Sequence, residues 1–316
     1  MDKKGQEDML NWVFILVSGA IILGFFAIFI VKYIDLQEKK ESIEISRIFF
    51  ETLKVLQQSS TTDSGYYIGA DDPNGFKTGI ETSIGYSCEN DKASIIVNEE
   101  SLSSLDVSEV VLYLPNEMRI KSLDTWIFPW NFPYFVDNFV FISDDERKFL
   151  IIFDEDNREF ATSLDIPYIF DVELVEKGQE NIDLESNTKL VYITKFKPTD
   201  VGSYTHINKE TKEVTFSDES GIKTEKYLGE AMLYGAIFSE NYNTYECNFK
   251  RATKILDETS KVYIEKARVI GNLDRKPECQ YGLIQLSIDR FRKGEYELVS
   301  QIEEQNNLGQ GCYSVY

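Results

Sequence analysis

The chain is 316 residues long, 42% hydrophobic and 13% aromatic, which supplies a core for one large or two modest domains and excludes a disordered polymer. Its 33 basic and 54 acidic side chains give a formal charge of -21, a field that repels phosphates and argues against a nucleic-acid partner. A single histidine, His206, rules out a multi-histidine metal centre built from this chain alone, and no GxSxG, HExxH, GxxxxGK[ST] or GxGxxG motif points to a catalytic chemistry or a cofactor.

The first predicted element is a membrane span. From Val13 to Val31 the sequence reads VFILVSGAIILGFFAIFIV, nineteen residues without a charge, opened by Trp12 and closed by Lys32 and Tyr33. Fourteen of the nineteen are Leu, Ile, Phe or Val. At roughly 0.3–0.6 kcal/mol each they favour the bilayer by about 4–8 kcal/mol, which decides partition by itself. A cleavable secretory signal carries a shorter apolar run, about 7–15 residues, with an A-x-A-like ending. This run ends in VKYIDLQ and reads as a single-pass anchor. Lys3 and Lys4 precede the span while Lys32, Lys39 and Lys40 follow it, so the positive-inside count is nearly tied. The cysteines point outward: Cys88, Cys247, Cys279 and Cys312 all follow the span, are even in number and lack CxxC spacing, as expected of two disulfides in an oxidising exterior. The expectation is a cell-membrane protein with the bulk of the chain extracytoplasmic.

The residues ahead of the span add a resemblance. Lys3-Lys4-Gly5-Gln6 followed by a near-terminal apolar helix resembles the class III signal peptides of archaeal type IV pilin-like proteins, over about the first thirty residues. The resemblance implies cleavage between Gly5 and Gln6, with the apolar helix kept on the mature chain. One position departs from it, since the family commonly carries a glutamate where Leu10 stands, and Glu7 and Asp8 come earlier.

Beyond Tyr33, Ile45, Phe49, Leu53 and Leu56 keep near-helical spacing among charges, so residues 34–58 read as a juxtamembrane helix continuing the span. Residues 59–79, SSTTDSGYYIGADDPNGFKTG, read as a Ser/Gly/Asp-rich linker, in which Asp71-Asp72 reads as a solvated turn. Asp154 and Asp156 read the same way, because the spacing of a calcium loop is missing. Residues 80–240 alternate short β-branched and aromatic runs with polar breaks, predicting a mixed or antiparallel sheet, with HINKETKEVTF as a hairpin. His206 lies in that hairpin and reads as a lone surface histidine.

Within this region WIFPWNFPYFVDNFVFI carries eight aromatics. Trp126, Phe128, Trp130, Phe132 and Tyr134 recur at every second residue, which puts them on one face of an extended chain. Pro129 and Pro133 place the segment at a sheet edge or in a loop. Buried, this face is core between domains; exposed, it offers Trp126, Trp130 and Tyr134 to a glycan or peptide.

The final stretch, residues 241–316, predicts a helical hairpin. One apolar stripe runs through Tyr245, Phe249, Ala252, Leu256, Tyr263, Ala267 and Ile270, and a second through Tyr281, Ile284, Ile288 and Phe291, extended past Gly294 by Leu298 and Ile302. Antiparallel arms would return Cys312 beside Cys247, predicting a Cys247–Cys312 bridge worth about 4 kcal/mol and leaving Cys88 with Cys279.

The fold class is therefore α+β: a long N-terminal transmembrane helix, a strand-rich ectodomain and a C-terminal helical hairpin. With its W-x-x-x-W stretch, YGAIFSENYNTYEC and a cysteine near the last residue, the pattern resembles uncharacterised archaeal membrane-anchored proteins, which implies shared architecture alone. Three functions compete. The first is a non-catalytic envelope subunit that assembles with itself or with other membrane proteins through its N-terminal helix. The second is a surface binding or adhesion module using the aromatic face. The third is a membrane-anchored carboxylate-dependent hydrolase drawing on the abundant acidic residues.

Overall fold

The computed structural model describes residues 3–59, 65–69, 76–98, 104–144, 147–178, 187–199, 202–218, 221–274, 276–307 and 311–316. Helix α1, Lys3–Gln57, is one unbroken helix of 55 residues, about 82 Å long at the usual rise per residue. The apolar run and the juxtamembrane stripe are thus two halves of one rod. No proline or glycine interrupts it after Gly24, which leaves nothing in the second half to break the backbone ladder.

Three sheets follow. In the first, β2 (Lys77–Glu89) lies between β3 (Lys92–Val97) and β6 (Glu117–Ser122), with β4 (Leu105–Asp106) beyond β3, all antiparallel. The second has the order β1 (Tyr66–Ile68), β7 (Asp124–Asn131), β8 (Phe135–Ser143), β5 (Leu112–Tyr113). Strand β1 lies inside the stretch predicted as linker; three residues of YYI among Ser, Gly and Asp are too few to register as a strand, and pairing with β7 at Thr125–Ile127 holds them. Since β1 covers only that part of β7, Pro129 falls where β7 has a free edge, as two prolines four apart required.

The third sheet is mixed: β10 (Asp171–Glu176), β9 (Lys148–Phe153) and β11 (Thr188–Ile193) run parallel, β12 (Tyr204–Asn208) extends them, and β13 (Glu213–Asp218) and β14 (Gly221–Lys226) add antiparallel hairpins. Strand β9, KFLIIF, is buried on both faces, as a continuous apolar run between two parallel neighbours should be. A short helix α2 (Arg158–Thr162) joins β9 to β10.

Four helix segments close the fold: α3 (Glu230–Phe238), α4 (Tyr242–Asp274), α5 (Tyr281–Phe291) and α6 (Val299–Asn306). Helices α4 and α5 are antiparallel, with Tyr281 packed beside Gly271 and Arg292 paired to Asp257 at 2.8 Å. The predicted second arm does not run on past Gly294. That glycine adopts φ +107, a left-handed conformation that side chains resist, and the chain reverses there into α6.

Two main cores lie on opposite faces of the second sheet, and a small third cluster of Leu150, Ile152, Tyr192 and Tyr204 sits on the third sheet. The larger is aromatic and joins β7, β8, β9 and β11 to α3, α4 and α5, so the strand-rich region and the helical hairpin share one interior. Gly235 of α3 permits this approach, because a Cβ there would lie 2.5 Å from Cζ of Tyr113. The smaller core is mainly aliphatic and joins α1 to the first sheet, to Leu112, Val140 and Ile142, and to Cys247 of α4.

Candidate functional site

The exposed apolar half of α1 is the first candidate feature. Between Leu16 and Val31 the apolar side chains of α1 stand exposed, Leu23 at 71% and Phe25 at 67%, in a helix long and apolar enough to cross a membrane. The second half is the reverse. Ile45, Phe49 and Leu53, four residues apart, are buried against β3, β4 and β8. Each such burial is worth about 1.5–3 kcal/mol before chain entropy.

Polar contacts fix the end of α1. Gln57 Nε2 donates to both carboxylate oxygens of Asp137 at 3.1 and 2.9 Å and to the Glu109 carbonyl at 3.0 Å, while Asn138 Nδ2 donates to the Gln57 carbonyl at 2.7 Å. Burial pushes the Asp137 carboxyl up to about 6, against the lowering effect of Gln57, the Asn138 amide and Arg251. Lys54 pairs with Glu109 at 2.7 Å on the exposed side of the same clasp.

Two adjoining grooves open where α3 meets α4, and both are lined by Asn116, Asn241 and Asn243. The first, about 600 Å³, lies over the starts of β11 and β12 and contains Arg147, Lys189 and Glu240. Lys189 is half-buried, donates to the Ala236 carbonyl at 3.2 Å, and has its ammonium pushed down to about 7 by desolvation and by Arg147, against the opposing charge of Glu240. A groove of amides and hydroxyls with a partly neutral amine can hold a polar ligand by hydrogen bonds.

The second groove, about 610 Å³, is lined by Cys88 and Cys247 together with Glu89, Asp91, Glu117 and Glu246. Cys88 of β2 and Cys247 of α4 form a disulfide with Cα atoms 5.8 Å apart. Behind it lies Arg251, 4% exposed and one helical turn beyond Cys247. Its Nη1 donates to Asn248 Oδ1 at 2.8 Å and reaches Cys88 Sγ at 3.7 Å, its Nη2 donates to the carbonyls of Val107 and Val110, and its Nε finds no acceptor.

All four cysteines are paired, but not as the hairpin geometry predicted. The bridges are Cys88–Cys247 and Cys279–Cys312, not Cys247–Cys312 and Cys88–Cys279. The reversal at Gly294 is the reason: α6 carries the chain back toward the start of α5, which brings Cys312 to Cys279 and leaves Cys247 against β2.

The aromatic face is likewise corrected as a binding surface. Trp126 and Trp130 are fully buried and Tyr134 is 2% exposed. Trp130 Nε1 donates to the Leu228 carbonyl at 2.6 Å, Tyr134 shares a 2.5 Å hydrogen bond with Ser260, and Trp126 packs on Tyr234 with ring centres 4.7 Å apart. These residues are the floor on which α3 and α4 rest. His206 is not on the surface either: it is 2% exposed, with Nε2 2.8 Å from the Thr194 carbonyl and its pKa lowered chiefly by burial.

The Asp154 side chain accepts from Asn157 Nδ2 at 2.5 Å and from the Lys195 amide at 2.8 Å, tying its turn to the end of β11. Among the described residues no group of three or more His, Cys, Asp or Glu is placed to hold a metal ion. Gly5 and Gln6 lie in the first turns of α1, with side chains outside what is described, and Asp71-Asp72 lie outside the described residues. Arg251, Lys189 and the Gln57–Asp137 clasp escaped the sequence reading. Only Arg251 left a trace there, as a cation one turn from a cysteine beside an apolar stripe. Comparison of the chain with family models, curated proteins and solved structures gives no match.

Proposed function

We propose that the protein is a single-pass membrane-anchored envelope subunit that holds its ectodomain outside the cell and assembles with partner subunits through α1. The observation that carries this reading is that one helix is apolar and exposed in its first half and keyed into the ectodomain core in its second. A flexible tether would only confine an ectodomain, whereas a continuous rod fixes its height and rotation relative to the bilayer. Two disulfides support an oxidising exterior as the compartment. Ile48 and Val55, seven residues apart and 49% and 68% exposed, leave an apolar strip beside the packed face of α1, available to a neighbouring helix.

Cysteine crosslinking in native membranes tests assembly, with single cysteines placed at Ile48 and Val55. Crosslinked dimers or mixed complexes that form at Val55 but not at the opposed, buried Leu53 are expected. Strictly monomeric protein at every position would overturn the assembly claim. Protease treatment of intact cells tests the sidedness separately, since an extracytoplasmic ectodomain is degraded without lysis. Intact mass of the purified protein reports whether the first five residues are removed before Gln6.

A further inference from the structure

The Cys88–Cys247 bridge differs from a purely structural disulfide in what surrounds its sulfurs. Both cysteines line the second groove, so a small molecule in that groove meets the bridge from one side. From the other side Arg251 presents Nη1 3.7 Å from Cys88 Sγ. Arg251 is a buried cation whose close partners are carbonyl oxygens, an amide oxygen, the Tyr86 hydroxyl and this sulfur; the carboxylates of Asp106 and Asp137 feel its charge, but neither is hydrogen-bonded to it among the described residues. A buried guanidinium with no carboxylate in hydrogen-bond contact is costly, and an anion created directly beside it is stabilised. Opening the bridge with its electron pair on Cys88 creates that anion next to the guanidinium.

We propose that Cys88–Cys247 is a thiol–disulfide exchange site that takes a low-molecular-weight thiol at Cys247 and discharges Cys88 as a thiolate held by Arg251. The thiolate of the incoming molecule attacks Cys247 Sγ, the S–S bond breaks, and its electron pair goes to Cys88 Sγ. A second thiolate attacks the outer sulfur of that mixed disulfide, the S–S bond to Cys247 breaks with its electron pair on Cys247 Sγ, and the small disulfide leaves. Two thiols are oxidised and one protein disulfide is reduced, one of the thiols' two protons ending on Cys247 and the other in solvent while Cys88 stays ionised. A stabilised leaving group speeds the first step, because exchange accelerates as the departing thiol becomes more acidic. The rim sets selectivity. Glu89, Asp91, Glu117 and Glu246 outnumber Lys250, which is itself paired to Glu246 at 3.0 Å, so cationic and neutral thiols enter more readily than anionic ones.

The test uses the full-length oxidised protein in detergent, opened with cysteamine, 2-mercaptoethanol or 3-mercaptopropionate at matched thiolate concentration, quenched by alkylation and mapped by mass. Cys88–Cys247 is expected to open at least about tenfold faster than Cys279–Cys312, although Cys88 and Cys247 are each only 5% exposed and Cys312 is the least buried of the four cysteine residues. The mixed disulfide is expected on Cys247, and the rates are expected to fall from cysteamine to mercaptopropionate, with a spread that shrinks in high salt. Arg251→Met is expected to slow the opening about tenfold and Arg251→Lys to restore part of the rate. Opening of Cys279–Cys312 first, mixed disulfide on Cys88, or an unchanged rate in a folded Arg251→Met protein would each overturn the proposal. If Arg251→Met does not fold, the wild-type protein decides alone. Alkylation of Cys88 in the reduced protein must then reach half its maximal rate well below the pH of an ordinary thiol, and an ordinary profile refutes it.

Discussion

The aromatic core beneath β7 and β8 and the aliphatic core beneath α1 treat polar groups in opposite ways. In the first, the aromatic side chains bring in neutral polar tips: Trp130 donates to the Leu228 carbonyl, Tyr134 bonds Ser260 and Tyr245 donates to the Lys226 carbonyl at 2.9 Å, while Trp126 Nε1 and the Tyr113 hydroxyl are buried without a partner among the described residues. Each core carries one disulfide, Cys279–Cys312 in the first and Cys88–Cys247 at the second, but among the described residues only in the second do a buried guanidinium and a carboxyl border the apolar side chains, with Ser42 and Ser46 buried in the helix that packs there. A neutral core gains stability from area and shape alone. A core edged by ionisable groups couples its packing to pH, and here that coupling falls where the second half of α1 joins the sheets.

The comparison is broken most severely by Trp130→Ala in the aromatic core. The substitution removes one of the largest fully buried side chains and leaves the Leu228 carbonyl without its donor. A loss of about 3–5 kcal/mol is expected, read from urea denaturation of the full chain in mild detergent. Loss below about 1 kcal/mol would mean that the core collapses around the site and that the aromatic face is not its keystone. Membrane extraction is expected to stay unchanged, because α1 does not touch the ring cluster.

Leu53→Ala probes the other core and is expected to cost about 2–4 kcal/mol, with a different signature. Its side chain is 1% exposed and lies on the packed face of α1. Hydrogen exchange should rise over residues 42–57 and over β3 while the amides of α4 and α5 keep their protection. A uniform rise across both cores would show that they unfold as one unit and would erase the distinction between them.

How much of this was legible in the sequence follows from the range of each interaction. That the apolar run and the stripe after it are helical was readable because helical periodicity is local, and so were the hairpin of β12 and β13 and the stripes of α4 and α5. The aromatic face showed its alternation but not its burial, since Trp126 and Trp130 are covered by α3 and α4, about a hundred residues further along the chain. Disulfide pairing failed on one residue: at Gly294 an apolar stripe seemed to continue, and only the left-handed backbone there reveals the turn that moves Cys312 to Cys279. The Gln57–Asp137 clasp joins residues 80 positions apart and carries no local pattern at all.

The smallest expected effect is also the most specific to the aliphatic core. Asp137 has a folded-state pKa of about 6 against an unreacted value of 3.8, because burial raises it more than Gln57, the Asn138 amide and Arg251 lower it. A raised carboxyl pKa means that the folded state holds the proton more tightly than the unfolded chain. Its contribution to stability is full below pH 3.8, declines as pH rises toward 6, and is gone above that. Two pKa units correspond to about 3 kcal/mol, which partial solvent exposure of the side chain reduces to about 1–2 kcal/mol. Asp137→Asn removes the ionisation while keeping an oxygen for the Gln57 amide. The difference in stability between the variant and the native chain, measured from pH 4 to pH 8, should therefore grow in favour of the variant through pH 6 and then level off. Subtracting the two curves cancels the titration of the other acidic side chains. A flat difference curve would place Asp137 outside the coupling, and a variant weaker than the native chain at pH 8 would show that the ionised carboxylate, not the neutral acid, is what grips Gln57.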